Sequence, residues 1–212
     1  MYAVKEIFYS IQGEGFHSGR PAVFCRFSGC NLWSGKEKDR KNSLCPFCDT
    51  DFTGTDGTGG GLYSSAHDLV SQISKAWPAV TANTVRPFVV CTGGEPLLQL
   101  DAGLVAGLHT EGFEIAVETN GTIGVTEGID WICVSPKARA RLVQVSGDEL
   151  KLGYPQEGLD PEEYVGMDFR HFFLQPMHGP GYEEASRQTL EYVLEHPAWR
   201  ISLQLHKILD VR

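Results

Sequence analysis

The feature that most restricts this chain is a run of three thiols, Cys30, Cys45 and Cys48, spaced C-x14-C-x2-C. Clustered thiols in a chain of this kind read as metal ligands rather than as a disulfide framework, because six cysteines in 212 residues are too few to staple a small secreted domain. Three ligands are one short of a closed tetrahedral zinc centre and one short of the four thiolates of a ferredoxin cluster. Spacing alone leaves both metals open. Around a four-iron cluster, three thiolates leave one iron free to bind a small molecule. Cys25, Cys91 and Cys133 lie in apolar, strand-like segments and read as core thiols, although one of them could in principle close the site as a fourth ligand.

A second run narrows the choice. Thr92-Gly93-Gly94-Glu95-Pro96 follows the apolar stretch Phe88–Thr92, about 45 residues beyond Cys48. Glycines without a Cβ let backbone approach a ligand closely, and Glu95 can accept hydrogen bonds from an ammonium group. Taken alone, the run reads equally well as a strand-to-helix turn.

The rest of the chain has the pattern of parallel β/α units. Strands are predicted at Tyr2–Tyr9, Ala22–Phe27, Phe88–Thr92, Glu114–Glu118, Ile129–Val134, Glu149–Leu152, His171–Leu174 and Ile201–Leu205. Helices are predicted after the capping candidates Ser65 and Asp101, and over Glu183–Glu195 with Leu190 and Leu194 on one face. Gly54–Gly61 reads as a flexible surface loop. Several strands end in polar or Gly-rich runs (TGGEP, ETNG, SPK, QPM, LQLHK), and sites on α/β folds gather at the carboxyl ends of strands. The expected fold is α/β: an incomplete, modified (β/α) barrel of about six parallel strands, with residues 1–212 forming one domain that carries an insertion at about 31–44 in its cysteine loop.

Composition excludes other classes. A formal charge of −9 argues against a nucleic-acid-binding surface, which needs clustered Lys and Arg. The basic run Lys36–Lys41 is interleaved with Glu37 and Asp39 and reads as a solvated loop face. No apolar stretch is long enough to span a bilayer and Met1–Ser10 has no signal-peptide pattern, so the expectation is a soluble, cytoplasmic protein with no membrane partner.

The cysteine run together with GGEP, and Phe47 between the last two cysteines, resembles the radical S-adenosylmethionine (radical SAM) superfamily. Phe8–Gly15 (FYSIQGEG), Arg26–Leu32 (RFSGCNL), Cys48-Asp49-Thr50, Glu118–Gly121 (ETNG), Ser135-Pro136-Lys137, Gln175-Pro176-Met177 and His206-Lys207 are together similar to the 7-carboxy-7-deazaguanine synthases of queuosine biosynthesis. That resemblance spans essentially the whole chain. It departs from the superfamily's usual C-x3-C-x2-C in its longer first spacing.

The resemblance implies a carbon–nitrogen lyase that converts 6-carboxy-5,6,7,8-tetrahydropterin to 7-carboxy-7-deazaguanine with loss of ammonia. A 5′-deoxyadenosyl radical would abstract hydrogen at C6. It implies a [4Fe-4S] cluster on Cys30, Cys45 and Cys48, and Mg2+ on Thr50. It implies SAM on Phe47, Cys48, Asp49, Gly93, Gly94, Glu95, Ser135, Pro136, Lys137, Gln175, Pro176, Met177 and His178. It places the pterin on Ile11, Gln12, Gly13, Glu14, Arg26, Thr92, His206 and Arg212. Arg26 suits a carboxylate through its bidentate fork. An electron donor such as a flavodoxin or ferredoxin, and a homodimer, are implied in the same way. The alternative readings are a glycyl-radical-enzyme activating enzyme of the same superfamily and a zinc-binding interaction module.

Overall fold

The computed structural model describes residues 1–78 and 85–212. Three strands form an antiparallel edge, in which β1 (Tyr2–Ile11) pairs with β2 (Pro21–Phe27) on one side and β3 (Gly61–Tyr63) on the other. From β2 onward every pairing is parallel. The strands follow in the order β4 (Phe88–Gly93), β5 (Glu114–Thr119), β6 (Trp131–Val134), β7 (Ser146–Tyr154), β8 (Asp168–Pro176) and β9 (Trp199–Ile201). Among the described residues this makes one nine-stranded sheet whose edges, β3 and β9, do not pair with each other. The sheet is an incomplete barrel. Seven strands take part in parallel pairings where about six were expected, the last of them, β9, only three residues long.

The apolar runs of β4 and β5 are buried on both faces, as central parallel strands must be. Along every strand the side chains alternate between two environments. Val23, Cys25, Val89, Cys91, Ile115 and Val117 point to one face, where α1 (Ala66–Ala76) and α2 (Ala102–Thr110) cover them with Leu69, Val70, Ile73, Leu104, Val105 and Leu108. A leucine buried this fully contributes about 2 kcal/mol of transfer free energy. Cys25 and Cys91 are therefore core thiols. Their neighbours Phe24, Arg26, Thr92 and Glu118, and on β7 Glu149 and Lys151, take the opposite face, since successive Cβ atoms alternate. A register slip of one residue would empty that face of its polar groups.

Neither α1 nor α2 reaches the polar face, and among the described residues only the short C-terminal helix borders it. The segment after β1 crosses it, and Phe16 stacks on His171 at 4.4 Å and on Trp131 at 5.0 Å, while His17 lies 5.1 Å from Phe88. These rings close the amino-terminal end of the half-barrel and leave the carboxyl end open.

Several expectations shift. Gly54–Gly60 is pinned along β1 by Gly57 N–H to Lys5 O and Ile7 N–H to Thr58 O, and Gly61 begins β3. Ile201 ends β9, and Leu205–Ile208 forms α4 instead of extending a strand. α3 (Tyr182–Glu195) buries Ala185 and Thr189, so Leu190 and Leu194 lie on its solvent side. Helices do not alternate with strands throughout. β5 to β6 and β6 to β7 are joined by loops among the described residues.

Asp101 joins the two sides of the helical layer. Its carboxylate accepts the Leu104 N–H at 2.9 Å, capping α2, and the Tyr2 hydroxyl of β1, also at 2.9 Å. Asp101→Ala is expected to lower unfolding free energy by about 2 kcal/mol, from a lost cap and a stranded phenol. Urea unfolding of the cluster-free protein checks this, and an unchanged midpoint would remove Asp101 as a tie.

Candidate active site

The site is built where β2 and β4 end. Gly93 has φ +138°, and a Cβ there would lie 2.2 Å from the Phe27 carbonyl oxygen. At Gly94 a Cβ would lie 2.2 Å from the Gly29 oxygen and 2.7 Å from Cys30 Cβ. Only glycine permits these approaches. They let Glu95 N–H reach Gly29 O at 3.0 Å, so the turn after β4 is fastened to the residue preceding the first cysteine.

Cys30, Cys45 and Cys48 line one cavity of about 150 Å³, together with Gly93, Gly94, Thr119 and Asn120. Cys25, Cys91 and Cys133 do not line it, so none of the other thiols supplies a fourth ligand. Among the described residues the three sulfurs do not gather within 4.8 Å of one another. A single zinc ion would require that, since Zn–S bonds of about 2.3 Å bring sulfurs to within about 4 Å. Cys48 is pushed below the ordinary thiol value, to about 6, chiefly by a hydrogen bond from Cys45, with desolvation opposing and Lys137 assisting. Three thiols on one wall, one of them readily ionised, fit a cluster held at three corners.

The insertion braces these ligands. Residues Glu37–Asn42 form a 3₁₀ turn, and from it Arg40 lies over the Trp33 ring at 4.1 Å. The same guanidinium donates to the carbonyls of Pro46 and Cys48, each at 2.9 Å, and pairs with Glu37 at 2.8 Å. Asn31 accepts from Asn120 Nδ2 at 3.0 Å, which hooks the start of the loop onto the end of β5.

Two further cavities adjoin the first. One, of about 210 Å³, is lined by Phe47, Ser135, Lys137, Gln175, Met177 and His178, among others. The second, of about 300 Å³, is lined by Gln12, Gly13, Glu14, Arg26, Thr92, His206 and Arg212, with Phe8 and Phe24 stacked at 5.2 Å as an apolar wall. Thr50 and Glu118 border all three. Arg26 and Arg212 share Glu6: Arg26 Nε donates at 2.9 Å, and Arg212 pairs with the other carboxylate oxygen. A Cβ on Gly13 would lie 2.0 Å from His206 Nδ1, so glycine lets α4 seat against this loop.

Three residues singled out from the sequence stand off these cavities. Ile11 and Pro136 do not line them. Glu95 is fully buried, with its oxygens taken by Leu97 N–H at 3.0 Å, Thr119 Oγ1 at 2.8 Å and Asn120 N–H at 2.8 Å. Conversely, sequence reasoning passed over Glu118, Lys151 and Gln204. Glu118 had a signal, as the first residue of the ETNG run. Lys151 had a weaker one, a cation at an inward position of the alternating segment ELKLG.

An open, mostly parallel β/α barrel carrying three cysteines against a Gly-Gly turn at its carboxyl end defines a radical SAM enzyme. No protein-family model matches the chain. It is 56% identical over 210 residues to a 7-carboxy-7-deazaguanine synthase of Caulobacter vibrioides, covering 99% of each chain. It is also 56% identical to one of Bradyrhizobium diazoefficiens, covering 100% of this chain and 99% of that one. The crystal structure of QueE from Escherichia coli superimposes with a TM-score of 0.67 at 28% identity, covering 97% of this chain and 94% of that chain. The chain belongs to the 7-carboxy-7-deazaguanine synthase family.

Arg40→Ala removes two charge-assisted bonds to the cysteine loop. The reconstituted variant is expected to lose its iron–sulfur absorbance at least 10-fold faster under chelator, since each such bond is worth about 1.5–3 kcal/mol. A wild-type decay rate would show that the loop holds without the brace.

Proposed function

We propose that this chain performs the reaction for which its family is named, converting 6-carboxy-5,6,7,8-tetrahydropterin to 7-carboxy-7-deazaguanine with loss of ammonia. The observation that carries the reading is the meeting of three cavities at Thr50 and Glu118. In this reading Cys30, Cys45 and Cys48 hold a [4Fe-4S] cluster. SAM lies along Phe47, Asp49, Gly94, Ser135, Lys137, Gln175, Met177 and His178. The pterin lies against Gln12, Gly13, Glu14, Arg26, Thr92, His206 and Arg212. Bound there, the reduced cluster and SAM supply the 5′-deoxyadenosyl radical that takes hydrogen from C6.

The chain's own residues bind, orient and enclose. A pterin edge presents adjacent N–H donors, and the carboxylates of Glu14 and Glu118 accept from such a pair. The substrate carboxylate suits the opposite end, where Arg26 and Arg212 place two guanidinium groups on one Glu6, an excess of positive charge. Phe8 and Phe24 give the ring an apolar wall. Thr50, at the junction, offers the single hard oxygen that Mg2+ needs from protein when water and the substrate carboxylate fill its other positions. Lys137 is held by the Ser135 carbonyl and hydroxyl, each at 2.7 Å, and faces both the cysteine cavity and its neighbour. A flavodoxin or ferredoxin as electron donor, a homodimeric assembly and the treatment of residues 1–212 as one domain belong to the same proposal, supported by the family resemblance. No helix among the described residues is long and apolar enough to cross a membrane.

The glycyl-radical activating reading is less well supported. The cavity beside the cysteines is lined by hydrogen-bonding side chains suited to a heterocycle, and the relatives are synthases.

The deciding experiment incubates anaerobically reconstituted protein with SAM, a reductant and the carboxylated pterin, and follows product mass. Loss of one ammonia is expected, and Cys30→Ala, Cys45→Ala and Cys48→Ala should each lack both cluster and product. Return of unchanged pterin, with iron bound and SAM cleaved, would sink the assignment. A second measurement concerns Thr50→Ala, which should blunt the Mg2+ response of the rate while SAM affinity holds. An undiminished Mg2+ response would exclude Thr50 as the ligand.

A further inference from the structure

On β7 a single cation, Lys151, points into the polar face. Lys151 is one of very few lysines a strand can bury, with its side chain only 5% exposed. Its ammonium lies 2.8 Å from Glu14 Oε2 and 3.0 Å from Glu118 Oε2, so one cation spans two carboxylates, one from the loop after β1 and one from the central strand β5. Below it, Glu118, Cys133 and Glu149 bring their ligand atoms within 4.8 Å of one another, in a row set by the pairing of β5, β6 and β7. The ammonium occupies the position of positive charge for that whole group.

We propose that Lys151 is a positioning residue for the pterin, fixing the carboxylates of Glu14 and Glu118 so that both accept from the substrate's N–H edge. The inference rests on the functional reading above. Without the ammonium, burial would favour a protonated Glu14, which would present a donor to a donor. One ammonium for two carboxylates leaves the group anionic, which selects a hydrogen-bond-donating ligand edge over a carboxylate.

The remaining contacts agree. Gln204 Nε2 donates to Glu14 Oε1 at 2.8 Å, and Gln12 Nε2 donates to Glu118 Oε1 at 3.1 Å, so each carboxylate is aligned from two sides. Glu149 accepts the Phe16 N–H at 2.8 Å and docks the loop that carries Glu14. The charged or titratable groups facing Lys151 are Glu14, Glu118, Glu149 and Cys133, with His206 beyond Glu14. Burial works against the ionised form of Glu14, but Lys151, Gln204 and His206 overcome it and hold the carboxyl at about 2. Burial pushes the Glu149 carboxyl up, and the cation only partly offsets this.

The sign follows. A depressed carboxyl is ionised at every pH above its lowered value, so this group leaves wild-type affinity flat from about pH 5.5 to 8.5. Without the cation, burial raises the carboxyl, and affinity is lost as pH falls through the raised value. The test measures pterin affinity against pH in iron-loaded wild type, Lys151→Met, Lys151→Arg and Glu14→Gln. Lys151→Met should bind roughly 30-fold or more weakly at pH 7, with affinity recovering as pH rises. Lys151→Arg should restore the flat profile. Glu14→Gln should be weak at every pH. In parallel, carbon NMR of the oxidised wild-type holoenzyme should show the Glu14 carboxyl titrating well below the ordinary range, a readout independent of any variant's folding. Iron content should match wild type in Lys151→Met. Wild-type affinity and profile in Lys151→Met, or a Glu14 that titrates at or above an ordinary glutamate, overturns the role of Lys151 and leaves the enzyme assignment standing. Failure of the wild type to bind the pterin overturns both.

Discussion

Everything at the open end of the barrel depends on one buried carboxylate. Glu95 is fully enclosed, and burial pushes its carboxyl up with Lys137 only a minor offset, an arrangement that costs several kcal/mol unless donors replace water. Leu97 N–H, Thr119 Oγ1 and Asn120 N–H do so. The result is a bolt between the end of β4 and the end of β5. Because the same turn lies against Gly29 and Cys30, the bolt also fixes the first thiol. Binding a ligand is thus one use of a GGEP run, and its geometry here serves another: locking three strand ends into one rim.

Two kinds of side chain meet on that rim, and they come from alternate positions of the same strands. β2 sends Cys25 to the helices and Arg26 to the cavity. β5 sends Val117 one way and Glu118 the other, and β7 divides Leu150 and Lys151 likewise. The parallel register then aligns Glu118 with Cys133, and Cys133 with Glu149, into a polar row beneath the cavities. The polar face stays open at its carboxyl end because Phe16 and His17 plug it only at the far end.

Much of this was legible in the residues. The thiol spacing, the TGGEP turn, the caps Ser65 and Asp101 and the strand ends are local signals, and each is found where its chemistry placed it. Non-local facts were harder to read. Leu190 and Leu194 share a helical face, but only packing decides whether a face looks inward, and here Ala185 and Thr189 do. The glycine-rich stretch Gly54–Gly60 reads as slack, whereas Lys5 and Ile7 of β1 tie its backbone down. Glu118 and Lys151 stand 33 positions apart, and nothing local announces that they touch. Arg40 lies in a run that charge pattern assigns to solvent, and it grips the carbonyls of Pro46 and Cys48.

The wall of the cavity that holds Arg26 and Arg212 is closed by partners far apart in the chain. Gln204 reaches Glu14 across 190 positions, and Leu205 N–H meets the Gly13 carbonyl at 2.8 Å. Closing a loop of that size is entropically slow compared with forming adjacent β/α units. The chamber therefore needs both flanks of the chain, and a fragment missing either would keep its thiols yet lack one wall of the cavity beside them.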